Sequence, residues 1–336
     1  MRHSKGMTLL ELMIVIAILL IAVTATLGFL THQTKKTSIE AAKTKSIQTS
    51  ILSDLILVTD IAMAGLGMPL EAGGSFVPIG SNNNSGQNGS DELIIKGAGI
   101  SSEADNYRKW GYNTACIESG DETVTVTSAQ ETPASGYPSF PQFEKDDQII
   151  FLNAETKEIL SNKVYKITNV SGNQLSIDSS NPIDFTINKK NALVFSIGGI
   201  SVTNFTDYLN TFTGYKLSTT TPESCASGTH SLCRVYGSSM PLLDCVLDFQ
   251  VQFGLVQSDG TINWVNTISG CSSSTLKEQL KLVRVFIVLQ NGKKDPGYTY
   301  PDDTITVADH TNNLTDEQKH YRWRTIRLDI PLRELQ

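Results

Sequence analysis

The chain has 336 residues, of which 40% are hydrophobic and 18% are charged, and its formal net charge at pH 7 is −7. Because 27 basic residues stand against 34 acidic ones, a nucleic-acid partner held through its phosphates is not expected. The supply of aromatic and β-branched residues argues against a disordered body.

The amino terminus combines a basic flank with a long apolar segment. Arg2 and Lys5 precede Gly6, and an apolar run at 12–30 is long enough to cross a bilayer as a helix. Glu11 lies at the start of this run, where a carboxylate costs about 2.5–3.5 kcal/mol and each large apolar residue contributes about 0.3–0.6 kcal/mol in favour of insertion. Insertion is therefore predicted. Glu11 becomes a candidate functional residue, because ionisable groups inside membranes usually have a function.

The residues Gly6, Met7, Thr8 and Glu11 resemble the class III leader of type IV prepilins and type II secretion pseudopilins. The resemblance implies a leader over residues 1–6, which prepilin peptidase removes by cutting between Gly6 and Met7. It also implies that Met7 becomes an N-methylated amino terminus, whose amine pairs with Glu11 of a neighbouring subunit in a filament. Such a pair would offset the desolvation of two charges in a low-dielectric core.

Two other interpretations of the amino terminus are open at this point. A secretory signal has the same basic and apolar regions, and Val23-Thr24-Ala25 could be its cleavage site, which would leave a mature chain starting at Thr26. The charge inside the apolar region argues against this interpretation. A signal anchor would instead leave the chain uncut and tether a periplasmic domain.

One long helical segment is predicted over residues 7–66, with residues 7–30 in the membrane or in the core of a filament. In its second half, apolar residues recur at intervals of four, four, three and four, which is typical of one helical face. Gly65, Gly67 and Pro69 are expected to end the helix. The residues expected to pack on a globular domain are Ile47, Ile51, Leu55, Val58 and Ala62.

Residues 67–336 are predicted to form a β-rich periplasmic head, because short β-forming runs alternate with Gly, Asn, Ser and Pro. The fold class expected is therefore α+β and type IV pilin-like, with one long N-terminal helix packed on a large antiparallel β-rich head. Ser81–Ser90 and the proline-rich residues 133–141 are expected to be loops. Strands are predicted at Glu92–Lys96, Thr123–Thr127, Gln148–Leu152, Lys163–Thr168, Gln174–Asp178 and Ala192–Ile197.

The carboxyl-terminal part has the most regular strand pattern. Residues 247–255 alternate apolar and polar side chains, which predicts a strand with one buried face. The turn sequence Ser258-Asp259-Gly260 leads to a hairpin partner at 261–265. Residues 282–289 are almost continuously apolar, which is typical of a central strand, and residues 322–332 are predicted to be the last strand.

Four segments in this order resemble PilW-type minor pilins and, second, the GspJ pseudopilin of type II secretion. These segments are residues 60–67, 242–260, 283–289 and 321–332.

Five cysteines follow the membrane segment and allow at most two disulfides in an oxidising periplasm. Cys225 and Cys233 enclose a short loop and are the predicted disulfide, whereas Cys245 is expected to be a buried thiol. Because no pair has CxxC spacing, neither a zinc site nor a thioredoxin-like motif is predicted.

No sequence motif of a catalytic site was found. The chain lacks the GxSxG, HExxH, GxGxxG and P-loop patterns, and its five histidines form no pair with ligand spacing. We therefore expect no enzymatic activity, no cofactor and no bound metal.

The resemblances imply a minor pilin, a structural subunit for initiation or the tip of a type IV pilus. Its expected location is the bacterial inner membrane, as a single-pass protein with a periplasmic head, and the pilus after assembly. The expected partners are other major and minor pilins or pseudopilins, prepilin peptidase, the inner-membrane assembly platform, and membrane lipid around residues 7–30. The alternatives are a type II secretion or competence pseudopilin, and a signal-anchored periplasmic binding or adhesin module.

Overall fold

The structure is a computed structural model, in which one long N-terminal helix is followed by a large antiparallel β-rich head. This architecture confirms the predicted α+β, type IV pilin-like fold class. The predicted cleavage site at Gly6 and Met7 and the proline-rich loop at 133–141 lie outside the described residues. The structure describes residues 9–66, 68, 77–97, 109–128, 143–198, 200–223, 225–271 and 273–332.

The helix α1 runs without interruption over Leu9–Ala62 and is about 80 Å long at a rise of 1.5 Å per residue. Its sequence contains no proline and one glycine, so little in it interrupts the hydrogen-bond ladder. A turn over residues 63–66 follows, in which Gly65 has a left-handed φ of +84°. A Cβ at Gly65 would lie 2.9 Å from Cβ of Pro78, so both the backbone and the packing require glycine where the helix ends.

The described part of the head contains sixteen strands and two short helices, α2 (Phe205–Asn210) and α3 (Ser273–Gln279). The predicted strands coincide with observed ones to within a few residues, except that the strand predicted at 247–255 begins earlier, at Ser238. In chain order the strands are β1 (Ile79–Asn82), β2 (Glu92–Ile95), β3 (Trp110–Asn113), β4 (Thr123–Ser128), β5 (Gln148–Asn153), β6 (Tyr165–Ser171), β7 (Gln174–Ile177), β8 (Ala192–Ser196), β9 (Gly214–Leu217), β10 (His230–Tyr236), β11 (Ser238–Val256), β12 (Ile262–Val265), β13 (Leu280–Gln290), β14 (Thr304–Val307), β15 (His310–Asn313) and β16 (Trp323–Pro331).

The main sheet has eight strands in the order β1-β2-β9-β10-β11-β13-β16, with β12 paired to the end of β11. Its strand pairs are antiparallel. The long strand β11 directs Phe249, Val251 and Phe253 into the core on the face that α1 covers. The period-two pattern of this strand therefore gives the predicted buried face from Phe249 to Leu255, whereas Leu247 lies in the cluster on the opposite face.

The opposite face of β11 is also covered, which differs from the prediction of one buried face. Asp248 and Gln250 are fully buried there, beneath the hairpin of β14 and β15. His310 Nδ1 and Asn312 Nδ2 of this hairpin lie 2.9 Å and 2.7 Å from Asp248 Oδ2. The Asp248 carboxylate is thus buried because the hairpin supplies its hydrogen-bond partners, whereas the Gln250 amide donates to the carbonyl oxygen of Gly89 at 3.0 Å.

A closed barrel of six antiparallel strands is inserted between β2 and β9. The strands pair in the order β3-β4-β7-β6-β5-β8, and β8 closes on β3. The sequence predicted five of these strands but not β3, and it did not separate the five from the main sheet, because short alternating strands have the same sequence pattern in an open sheet and in a barrel. The barrel is filled by its own apolar cluster, which includes Val126, Phe151, Tyr165 and Leu175.

The chain leaves the main sheet and returns to it at adjacent points, which we call the neck (residues 95–97 and 208–214). The N–H of Ile95 donates to the carbonyl oxygen of Thr213 at 2.9 Å, and the Thr213 hydroxyl donates back at 2.6 Å. The buried ammonium of Lys96 donates to two carbonyl oxygens at the end of α2, one of them at 2.8 Å. Burial lowers the pKa of Lys96 to about 8. Both connections of the barrel are therefore held at one point of the sheet.

Candidate assembly site on the N-terminal helix

The first part of α1 is an apolar rod whose surface is exposed in the single chain. The segment Leu9–Thr34 is long and apolar enough to cross a membrane, with a mean hydropathy of 2.8, and none of it is buried. Leu9 and Ile21, for example, are 77% and 70% exposed. Removing apolar surface from water is favourable by roughly 25 cal/mol per Å², so we expect lipid or other apolar surfaces to cover this rod.

The threonines of the rod satisfy their hydroxyl groups within the helix. Thr24, Thr26, Thr31 and Thr34 each donate to the carbonyl oxygen four residues earlier, at 2.8 Å for Thr24 and 3.0 Å for Thr31. A hydroxyl that is bonded to its own helix does not become an unsatisfied donor in hydrocarbon. These threonines are therefore compatible with a membrane or with a dry helical bundle.

Glu11 lies in the first described turn of α1, between the exposed apolar residues Leu10 and Leu12. Covering the rod would carry this carboxylate into low-dielectric surroundings, where a charged group requires a countercharge. Three residues were predicted for processing and assembly. The structure describes Glu11, whereas Gly6 and Met7 lie outside the described residues.

The second part of α1 packs on the main sheet, but not with the whole of the predicted stripe. Ile51 and Leu55 are 63% and 62% exposed, Val58 is half-buried, and Ala62 is buried. The side chain of Ile47 lies outside the described residues. The prediction was therefore wrong for Ile51 and Leu55, which face away from the head.

The face that packs on the sheet is a different row of residues one turn apart. Leu57 and Ile61 are at its centre and are almost completely buried in the main core, with Ser53, Asp60 and Ala64 beside them. At about 100° per residue, this inner face lies roughly opposite the exposed side chains. We call the exposed group the outer stripe: Ile51, Leu52 and Leu55.

A buried ion pair attaches the inner face to the head. The carboxylate of Asp60, which is fully buried, accepts from Arg234 of β10, with Nε–Oδ2 at 2.6 Å and Nη2–Oδ1 at 2.9 Å. The Tyr215 hydroxyl of β9 donates to the same Oδ2. Burial, together with the neighbouring Asp60 carboxylate, raises the pKa of Tyr215 well above its ordinary value, so this hydroxyl stays a donor. We call Asp60, Arg234 and Tyr215 the helix–head triad.

Sequence reasoning did not assign a role to the triad. Asp60 is the one acidic residue between 55 and 66, in an otherwise apolar helix end, and this was the available signal. Its partners Tyr215 and Arg234 are 155 and 174 residues away along the chain. No local pattern specifies a pairing over that separation.

The predicted disulfide between Cys225 and Cys233 is wrong. Cys225 pairs with Cys245 across a Cα–Cα distance of 5.0 Å, and Cys233 is a buried thiol on β10. The hairpin of β10 and β11 explains the difference. Cys233 lies within β10, opposite Pro241. Cys245 lies on β11 next to Val246, which pairs with His230 at the start of β10. Proximity in sequence therefore did not place the predicted pair together.

Comparison with known proteins gives a match at the amino terminus. Residues 1–27 match the family model described as the prokaryotic N-terminal methylation motif. No curated protein matches the chain. The match covers the predicted leader and the first part of the rod, and none of the head. Together with an apolar N-terminal helix and a β-rich head, this motif supports a type IV pilin-like or pseudopilin-like protein whose rod is compatible with membrane anchoring.

Proposed function

We propose that this protein is a minor pilin of the PilW type, a structural subunit for initiation or the tip of a type IV pilus. The observation that carries the proposal is the 26-residue apolar segment Leu9–Thr34, no part of which is buried in the single chain and which begins within the methylation motif. Such a surface is suited first to the inner membrane, with the head in the periplasm, and then to a bundle of equivalent helices.

Glu11 has a specific role in this proposal. After cleavage between Gly6 and Met7, the amine of Met7 on one subunit would meet the Glu11 carboxylate of its neighbour at the same depth in the bundle. A displacement along the axis would separate the two charges in low-dielectric surroundings, so the pair would set the register between subunits. Contacts of this head-to-tail kind do not close on themselves, and an open filament follows.

The outer stripe supports assembly through more than the rod. Ile51, Leu52 and Leu55 form an exposed apolar strip on the part of α1 that is attached to the head. When neighbouring subunits stand side by side, this strip is available to pack on them. The proposed partners are therefore other pilins, with prepilin peptidase and the inner-membrane assembly platform acting earlier.

The size of the head suggests a subunit of low copy number. A six-stranded barrel is added to the main sheet, so each head requires more room on the filament surface than the sheet alone would need.

A pseudopilin of type II secretion, similar to GspJ, shares the helix and the leader. Deletion of the gene separates the two: loss of pili supports the pilus, whereas loss of exoprotein release with normal pili supports the secretion machine.

The first test is the mature amino terminus. Mass spectrometry of the membrane-extracted protein should show a chain that begins at Met7 and carries one added methyl group. A chain that begins at Thr26 would identify a secretory signal, and an uncut chain from a strain with active prepilin peptidase would identify a signal anchor. Either result contradicts the proposal.

The second test changes Glu11. Glu11→Ala should leave the amount of membrane-inserted protein unchanged and lower its recovery in sheared pili by roughly tenfold, the equivalent of about 1.4 kcal/mol. Glu155→Ala removes an exposed carboxylate on the barrel and is the matched control. Normal recovery of the Glu11→Ala protein in pili would contradict the role of the carboxylate.

A further inference from the structure

We infer that the helix–head triad of Asp60, Arg234 and Tyr215 sets the rotation of α1 on the head, and thereby keeps the outer stripe directed away from it. The inference concerns the orientation of one helix in the single chain. Its consequence for assembly rests on the proposed function.

Apolar packing alone does not select the observed rotation. The inner face presents Leu57 and Ile61 to the sheet, while the outer stripe, roughly half a turn of rotation away, has three large apolar residues of its own. The hydrophobic effect is proportional to the apolar area removed from water and has no direction. Either face would therefore bury apolar area against Phe249, Val251 and Phe253 of β11.

The triad distinguishes the two faces because its contacts are directional. A half-turn rotation would move the Asp60 carboxylate to the outside and separate it from Arg234, which is only 3% exposed. Removing one partner of a buried ion pair is strongly destabilising, because the other charge stays in low-dielectric surroundings. None of the three residues of the outer stripe carries a carboxylate, so none of them could replace Asp60 as the partner of the Arg234 guanidinium.

The same contacts fix the position of α1 along its axis. Leu57 and Ile61 are four residues apart, so a displacement by one turn would again place an apolar side chain of this pair on the sheet. Two hydrogen bonds from one guanidinium to one carboxylate are possible in a single register only. The Ser53 hydroxyl, which donates to the carbonyl oxygen of Leu242 at 2.7 Å, agrees with that register.

The test compares the accessibility of two neighbouring positions in the full-length, membrane-inserted protein. Ser53→Cys reports on the inner face and Leu55→Cys on the outer stripe, each in a background that carries Cys116→Ser and Cys271→Ser, because those two thiols are accessible. Labelling with a membrane-impermeant maleimide, in a strain without other pilins, gives the ratio of the two rates. We expect the Leu55→Cys protein to react much faster.

The decisive variant replaces the triad with apolar residues: Asp60→Leu, Arg234→Met and Tyr215→Phe. Replacement of a whole buried ion pair by apolar residues of similar size often preserves stability. We expect the head to stay folded, by near-UV circular dichroism, and the labelling ratio to fall by roughly tenfold or more as the helix samples both faces. The matched control removes the buried pair of the barrel, Lys109→Met with Asp147→Leu, and should leave the ratio unchanged.

Asp60→Asn is the second variant, in case the triple replacement prevents folding. It keeps the size of the side chain and removes its charge, so it should also lower the ratio. An unchanged ratio in either folded variant would overturn the inference, because apolar packing would then be enough to orient the helix. This readout is obtained before assembly, so it is independent of the result for Glu11→Ala in pili.

Discussion

Asp91 is a fully buried carboxylate at the start of β2. It accepts the N–H of Asn84 at 2.8 Å and the N–H of Val251 at 2.7 Å, and so attaches the polar loop before β2 to the centre of β11. Burial raises its pKa to about 6, and the nearby carboxylates of Asp309 and Asp248 add to this effect. The segment Ser81–Ser90, which was predicted to be a loop, thus begins within β1 and is held against the sheet at its other end.

The stability of the protein should depend on pH through Asp91. In the unfolded chain its pKa is about 3.9, so the folded state binds the proton more tightly. The contribution to stability is fully present below that value and is lost as the pH rises through about 6. Between about pH 7 and pH 5, the free energy of unfolding of the native protein should therefore rise, relative to Asp91→Asn, by on the order of 1 kcal/mol.

Denaturant titrations at each pH measure this difference. Asp302→Asn, which removes an exposed carboxylate, controls for the loss of one charge. If the free energy of unfolding changed with pH in parallel for the native protein and Asp91→Asn, the Asp91 carboxylate would not be the cause of the pH dependence.

The observed disulfide leads to a prediction for the cysteines. Cys225→Ser and Cys245→Ser should each lower the free energy of unfolding by about 3 kcal/mol, since the bond closes a loop with a sequence separation of 20. A reducing agent should have no further effect on either variant, whereas Cys233→Ala should remain sensitive to it. Peptide mapping without reduction identifies the linked pair. A linked peptide that contains Cys225 and Cys233 would contradict the structure.

At the scale of elements, the two parts of α1 have different surroundings: the first part is exposed and the second part packs on the head. Its first part is apolar all round, which the length and composition of the run predicted. In its second part the periodicity correctly indicated a row of apolar residues on one side of the helix. It does not show which of two such rows packs on the head. Asp60 lies on the covered face, and its partner Arg234 could be recognised only from the fold.

The outer stripe gives the prediction for this element. Ile51→Gln and Leu55→Gln should leave the melting temperature unchanged, because both side chains are already exposed. Under the proposed function they should lower recovery in pili, since they remove apolar packing between subunits. Ile262→Gln on β12, where the side chain is 42% exposed, is a matched control on the head. Equal recovery of all three variants would show that the outer stripe makes no contact that assembly needs.

At the scale of the whole molecule, the sequence predicted the features that depend on neighbouring residues. Strands such as β5, β11 and β13 follow from alternation or from continuous apolar runs, and the helix end follows from Gly65. Contacts between distant segments were not predicted: the closure of the barrel, the burial of Asp248 under the β14–β15 hairpin, and the pairing of Cys225 with Cys245. Glu11 was identified because a charge in an apolar run is a local anomaly.

The neck has a consequence for how such a chain can evolve. Since the barrel departs and returns at hydrogen-bonded neighbours, Ile95 and Thr213, a gene segment encoding residues 109–198 could be exchanged for another without altering the register of β2 and β9. Recombination at this point would diversify the barrel while conserving the rod and the sheet. Among descendants of one ancestral gene, the barrel is therefore where sequence divergence should concentrate.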